Sequence, residues 1–269
     1  MNTQEQAYML PKDDKEHGVE VIWEDVQVTC PYIRHTIPCK RGTERHDILE
    51  TISGKLPAGS MTAILGPSGC GKSTFLNYIS GRHEQLNGLE FSGKCWYNDA
   101  SLGDPAHQKA IATIVGYVMQ DDVLFETMTV RECFEFVAKL SISNDQKVYN
   151  VAVDDTLKKL EITHTAETII GGVAQRGVSG GERKRVSIGV EMLKNPRVLF
   201  MDEPTTGLDS FTAEKLMAMA KQFTQQGMTI ACTIHQPSSH IFKLFDRVIL
   251  MAERTIIYQG PMGTDSGEN

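Results

Sequence analysis

Ala63-Ile64-Leu65-Gly66-Pro67-Ser68-Gly69-Cys70-Gly71-Lys72-Ser73-Thr74 is the stretch on which the reading of this chain turns. It carries the pattern G-x-x-x-x-G-K-S, in the surroundings that pattern requires. Met61 to Leu65 is an apolar run long enough for one buried strand, and Ser73-Thr74-Phe75-Leu76-Asn77-Tyr78-Ile79 repeats its apolar members at helical spacing. Glycines let such a backbone curl until several N–H groups and a helix N-terminus converge on one anion. In that geometry Lys72 reaches the β- and γ-phosphates and the Ser73 hydroxyl holds Mg2+. The bland alternative, a glycine-rich turn with an incidental lysine, gives no reason for strand, loop and helix to fall in register. The stretch therefore predicts a nucleoside-triphosphate site built from Gly66, Pro67, Ser68, Gly69, Cys70, Gly71, Lys72, Ser73 and Thr74.

Composition sets the frame around this loop. With 269 residues, 41% of them hydrophobic and 23% charged, the sequence suits one large globular domain, or one core with attached subdomains. A formal net charge of −7 argues against a broad nucleic-acid surface, which would repel the phosphates. Six cysteines (Cys30, Cys39, Cys70, Cys95, Cys133 and Cys232) are scattered without a C-x-x-C pair, as expected of reduced, mostly buried thiols. Cys70 is the exception, because alkylation or oxidation inside the phosphate loop would block nucleotide. Met1 to Gly18 is polar, with no apolar core of the signal-peptide kind, and reads as disordered; 264–269 reads as a polar tail. No apolar run reaches the roughly eighteen residues of a membrane span, so the chain is not expected to cross a membrane itself.

Along the chain, Val19 to Val28 alternates as a half-buried strand, Pro31 to Asp47 reads as a polar loop, and Ile48 to Ile52 resumes apolar character. Gly88 to Trp96 and Ile114 to Met119 are further strands, with a short helix opened by Asp104-Pro105 between them. Thr129 to Ser141 and Val151 to Leu160 read as helices inserted in a sheet-based core. From Asn195 strand and helix alternate: Arg197 to Met201, Ser210 to Thr224, Met228 to Ile234, Pro237 to Phe245, then a hairpin over Glu253-Arg254. Such alternation predicts an α/β core with a mainly parallel sheet.

Two further stretches carry chemistry. Val198-Leu199-Phe200-Met201-Asp202-Glu203 is a buried-strand pattern that delivers two carboxylates to a strand's carboxyl end, where ligands bind in such sheets. Asp202 is placed to hold Mg2+, and Glu203 to polarise or orient the attacking water. Val178-Ser179-Gly180-Gly181-Glu182-Arg183-Lys184-Arg185 opens another apolar-periodic helix. Ser179 with Glu182 three residues on is a capping box. Capping alone does not ask for two glycines in the first turn, each costing up to about 1 kcal/mol, so bare N–H groups for a second anion are the better account.

At this point the sequence resembles the ATP-binding-cassette (ABC) ATPases, with the signature stretch Val178 to Arg185 just upstream of a Walker B strand. Gln120, in Tyr117-Val118-Met119-Gln120-Asp121-Asp122, resembles the family's Q-loop. Gly207-Leu208-Asp209 resembles the D-loop, and His235, in Thr233-Ile234-His235-Gln236-Pro237, the switch histidine. A finer resemblance, running from about Val19 to Gly260, is to the eukaryotic G subfamily, half-transporters with the cassette ahead of the membrane domain.

The resemblance implies a P-loop NTPase with a RecA-like core, an antiparallel β subdomain and an inserted α-helical subdomain, over residues 19–263 with the insertion near 122–194. It implies ATP and Mg2+ as ligands, and catalysis by Lys72, Gln120, Glu203 and His235. Ser73, Gln120 and Asp202 would serve the metal. Ser179, Gly181 and Asp209 would meet nucleotide across a head-to-tail dimer, homo- or heteromeric. It also implies coupling to a transmembrane domain of the same polypeptide, at the cytoplasmic face of a membrane. Two departures stand out. The usual adenine-stacking aromatic falls near Cys30, with Tyr32 next along, leaving Ile48 to offer apolar contact. Glu182 stands where many relatives carry Gln, and preserves the capping geometry. A soluble ABC ATPase acting on ribosomes or nucleic acid is the alternative. It fits less well, since the chain holds one cassette and no heptad insertion between Thr74 and Ser179.

Overall fold

The computed structural model describes residues 18–34, 42–172 and 175–263. The expected N-terminal disorder before Gly18 and the polar tail from Thr264 lie outside these residues, as does the Tyr32 side chain. The core sheet has six strands. In spatial order they are β10 (Thr255–Pro261), β9 (Arg247–Ala252), β3 (Met61–Leu65), β8 (Thr229–Thr233), β7 (Val198–Met201) and β6 (Val115–Val118). All neighbours run parallel except the β9–β10 hairpin. A second, antiparallel sheet has the order β2 (Gly42–Leu56), β1 (Val21–Arg34), β4 (Glu90–Tyr97) and β5 (Ala100–Ser101).

The parallel strands read as continuous apolar runs because both faces are covered. On β7, Leu199 and Met201 join a cluster under the helices α3 (Val130–Ser141), α4 (Gln146–Lys159), α5 (Gly180–Met192) and α6 (Ser210–Thr224). Val198 and Phe200 join a second cluster with the antiparallel sheet, α1 (Lys72–Ile79) and α2 (Pro105–Ile114). The short helix α7 (Ser239–Phe242) packs against α6. Trp23 and Phe75 meet edge to face at 5.0 Å, binding the antiparallel sheet to the helix that follows the phosphate loop.

Two expectations are corrected. Pro31 to Asp47 is not a loop throughout: β1 runs to Arg34 and β2 begins at Gly42, paired from Ile33↔Thr43 to Thr29↔Asp47. Beyond Thr29 β1 has left its β4 neighbour, and an open edge is where a strand tolerates proline. The stretch is mostly polar and carries no apolar alternation, so its sequence gives no strand signal. Helix α4 starts at Gln146 rather than Val151, because the Asp145 carboxylate caps the Lys147 N–H at 2.9 Å.

The chain enters and leaves the α3–α4 region side by side. Thr129 bridges Ile169, the Ile170 N–H donates to the Met128 carbonyl at 2.9 Å, and the Gly171 N–H donates to Glu126 at 2.9 Å.

Candidate nucleotide site

The phosphate loop leaves β3 after Leu65 and enters α1 at Lys72. Gly71 caps that helix at φ 99°, a left-handed conformation open to glycine. A Cβ there would also stand 3.0 Å from the Ile48 carbonyl and collide with Leu49. The Lys72 side chain, 5% exposed, folds back over the loop and donates to the Gly66 and Pro67 carbonyls, each at 2.9 Å. An open depression of about 220 Å³ is lined by Ile48, Ser68, Gly69, Gly71, Lys72, Ser73, Thr74 and Glu203. The predicted apolar contact of Ile48 thus borders the loop, while Cys70, 5% exposed, joins the core cluster shared with α1 and the antiparallel sheet. Cys95 and Cys133 are buried as well, and burial pushes their thiols up to about 12 and about 11.

Parallel pairing of β7 between β6 and β8 brings the acidic pair to the same edge of the sheet. Asp202 is buried, and its Oδ1 accepts from the Ser73 hydroxyl at 3.1 Å and the Thr233 hydroxyl at 2.6 Å. The Tyr117 hydroxyl stands 3.5 Å from Oδ2. Burial, and then the Asp202 charge, push the Tyr117 phenol far above its ordinary value, so it remains a donor. Glu203 adopts φ 45°, with its N–H on Thr233 Oγ1 at 2.8 Å and its Oε2 accepting from Thr206 at 3.0 Å. Thr233 therefore fixes both acids. One carboxylate ringed by hydroxyl oxygens suits a hard divalent cation, so the donor set fits Mg2+. The loop, with no room for a Cβ at Gly71, fits a polyphosphate.

The other predicted residues form a separate group. Ser179 caps α5: its Oγ accepts from the Glu182 N–H at 3.3 Å, and Glu182 Oε2 accepts from the Ser179 N–H at 2.8 Å and its hydroxyl at 2.7 Å. Burial pulls the Glu182 carboxyl up, but the Ser179 bonds and His164, 3.1 Å away, outweigh it and hold it below the ordinary carboxylate range. A Cβ on Gly181 would strike Thr212, at the start of α6. Asp209 caps α6, accepting from Thr212 Oγ1 at 2.6 Å and from the Phe211 and Thr212 N–H groups at 3.1 and 3.0 Å. Gln120 and His235 lie exposed on the segments after β6 and β8.

Several residues escaped the sequence reading. Thr233 and Tyr117 look like ordinary strand residues in sequence. Lys184, 3% exposed, donates to Asp122 Oδ1 at 2.7 Å, to the Gln120 carbonyl at 2.9 Å and to the Met119 carbonyl at 3.3 Å. In sequence it is one more cation beside Arg183 and Arg185.

The sequence profile of the family described as ABC transporter matches residues 49–206. The chain belongs to the ABC transporter family. It is an α/β P-loop cassette of the family's ATPase type. The cassette is 44% identical over 217 residues to "ABC transporter G family member 14" of Arabidopsis thaliana, covering 79% of this chain and 32% of that one. It is 43% identical over 259 residues to "Broad substrate specificity ATP-binding cassette transporter ABCG2" of Mus musculus, covering 94% of this chain and 38% of that one. This cassette thus spans about a third of the length of these curated relatives. Its fold is that of the ATP-binding cassette MJ0796 in a dimeric post-hydrolysis state bound to ADP and Pi, with TM-score 0.72 at 24% identity, over 91% of this chain and 99% of that one.

Proposed function

We propose that this cassette binds and hydrolyses MgATP between two head-to-tail copies, or between itself and a related cassette, and so powers transport by a G-type half-transporter. The observation that carries this reading is the division of the site. The loop with Lys72, Ser73, Asp202 and Glu203 forms one group, and the Ser179–Gly181 helix start with Asp209 forms another. Each is half of an anion site, and a second copy in head-to-tail orientation supplies the missing half of both.

In this reading the phosphate loop and Lys72 would hold the β- and γ-phosphates, while Ser73 and Asp202 would hold Mg2+, whose charge would offset that of the transferring phosphoryl group. Glu203, aligned by Thr206 and Thr233, accepts a proton from the attacking water. The water oxygen bonds to the γ-phosphorus, and the bond to the bridging oxygen breaks, leaving ADP and inorganic phosphate. His235 and Gln120, exposed on the adjoining loops, would serve the γ-phosphate and the metal, and Ile48 would border the nucleoside.

No helix among the described residues is long and apolar enough to cross a membrane, so the transmembrane part is proposed to lie elsewhere. The contact proposed for it is the exposed apolar surface after Gln120, where Val123 is 78% exposed and Phe125 meets Phe136 edge to face at 5.5 Å. The chain would then lie at a membrane's cytoplasmic face. Action on ribosomes or nucleic acid finds no support in the relatives named above or in the net charge of −7.

Glu203→Gln is the deciding variant. With MgATP it should form a stable dimer on size-exclusion chromatography with light scattering, and release almost no phosphate. Turnover near the wild-type rate would sink the assignment of Glu203, and a monomer at saturating ATP would sink the dimer.

A further inference from the structure

Strand β6 ends the six-stranded sheet, so among the described residues one side of it has no strand partner, and α5 packs against it there. Two side chains of α5 hold it there. Glu191 Oε2 accepts from the Tyr117 N–H at 3.3 Å, and Lys184 binds the turn just beyond the strand through the Met119 and Gln120 carbonyls and Asp122. The same edge strand presents Tyr117 to Asp202, and the Asp202 N–H donates to the Val118 carbonyl at 2.9 Å. Lys184 lies five residues after Ser179 on one helix, about 7.5 Å along its axis.

A buried ammonium with three oxygen partners is a stiff joint. Removing Lys184 or Asp122 leaves the other charge without its counter-ion in a largely buried place. Surface lysines on a helix face do not need such a set. This one binds main-chain carbonyls of the segment that leaves the sheet beside Asp202, so that segment cannot shift without moving α5.

We infer that Lys184 is a positioning residue that couples the chain's own phosphate site to the Ser179–Gly181 half-site it offers a second cassette. The inference rests on the dimer reading above and adds to it a route within one chain. Movement of the Gln120 segment as nucleotide settles against Asp202 is delivered through Lys184 to α5, and so to the face that meets the partner.

The test separates two equilibria in the Glu203→Gln background. Mg-ADP binding by isothermal titration reports the chain's own site, and MgATP-driven dimerisation by light scattering reports the presented half-site. Lys184→Met should leave ADP affinity within about twofold and weaken dimerisation about tenfold or more, and Lys184→Arg should recover part of the loss. Asp122→Asn, which leaves Lys184 its two carbonyls, should weaken dimerisation less and be non-additive with Lys184→Met. Unchanged dimerisation, or equal loss of ADP binding and dimerisation in a variant that melts like its parent, overturns the inference. If Lys184→Met does not fold, Asp122→Asn decides alone, and normal dimerisation there overturns it. Failure of the Glu203→Gln parent to dimerise would instead remove the dimer reading, and this inference with it.

Discussion

Thr233 shows how much one hydroxyl can organise. It donates to Asp202 and accepts from the Glu203 N–H, so a single side chain sets the spacing of the proposed metal ligand and the proposed base. Thr233→Val keeps the shape and leaves both partners short of a bond in a buried place. We expect a loss of about 1–3 kcal/mol in urea unfolding and a fall in kcat, both recovered by Thr233→Ser. Gly71 is constrained differently. Its φ of 99° and the crowding by Leu49 and Ile48 predict that Gly71→Ala weakens ATP binding about five- to thirtyfold in calorimetry, as about 1–2 kcal/mol of backbone strain requires. Lys72→Ala should abolish measurable binding, with thermal unfolding showing whether the loop still closes over the loss of its two carbonyl contacts.

Helix α5 carries the most information per turn. Its capping box was legible in sequence because Ser179 and Glu182 act within one turn, and local geometry fixes their meeting. The strand–loop–helix of the phosphate site was legible for the same reason. The Lys184 clasp was not, since its partners lie 62 to 65 residues away and only the fold joins them. The extension of β1 and β2 was likewise hidden, because a polar ribbon obeys no hydrophobic period. Glu182 gives the cap a pH dependence. Its folded value lies below the unfolded one, so its contribution is complete above the ordinary carboxylate range and is lost as pH falls through the depressed value. Protection of the first-turn amides of α5, taken as exchange relative to the intrinsic rate at each pH and followed by mass spectrometry, should therefore fall on acidification, and should do so less in Glu182→Gln.

For the whole molecule the questions are of assembly. If each active site needs two copies, specific ATPase activity must rise with protein concentration, and a rate per molecule that stayed flat would count against the shared site. Fractionating native cells with an antibody to this chain tests its wider context. A band of well over the chain's 29.9 kDa that resists carbonate extraction would support the half-transporter. A band near that mass released by carbonate would point to a separate cassette subunit docking on membrane proteins. Finally, the chain that leaves the core at Glu126 and Met128 returns beside itself at Ile170 and Gly171, joined there by main-chain bonds. A segment whose two ends meet at one doorway can be exchanged without rethreading anything else. Grafting 127–169 from a relative onto this core is thus a natural way to build chimaeras, and a lineage could retune what the cassette listens to while its chemistry stood still.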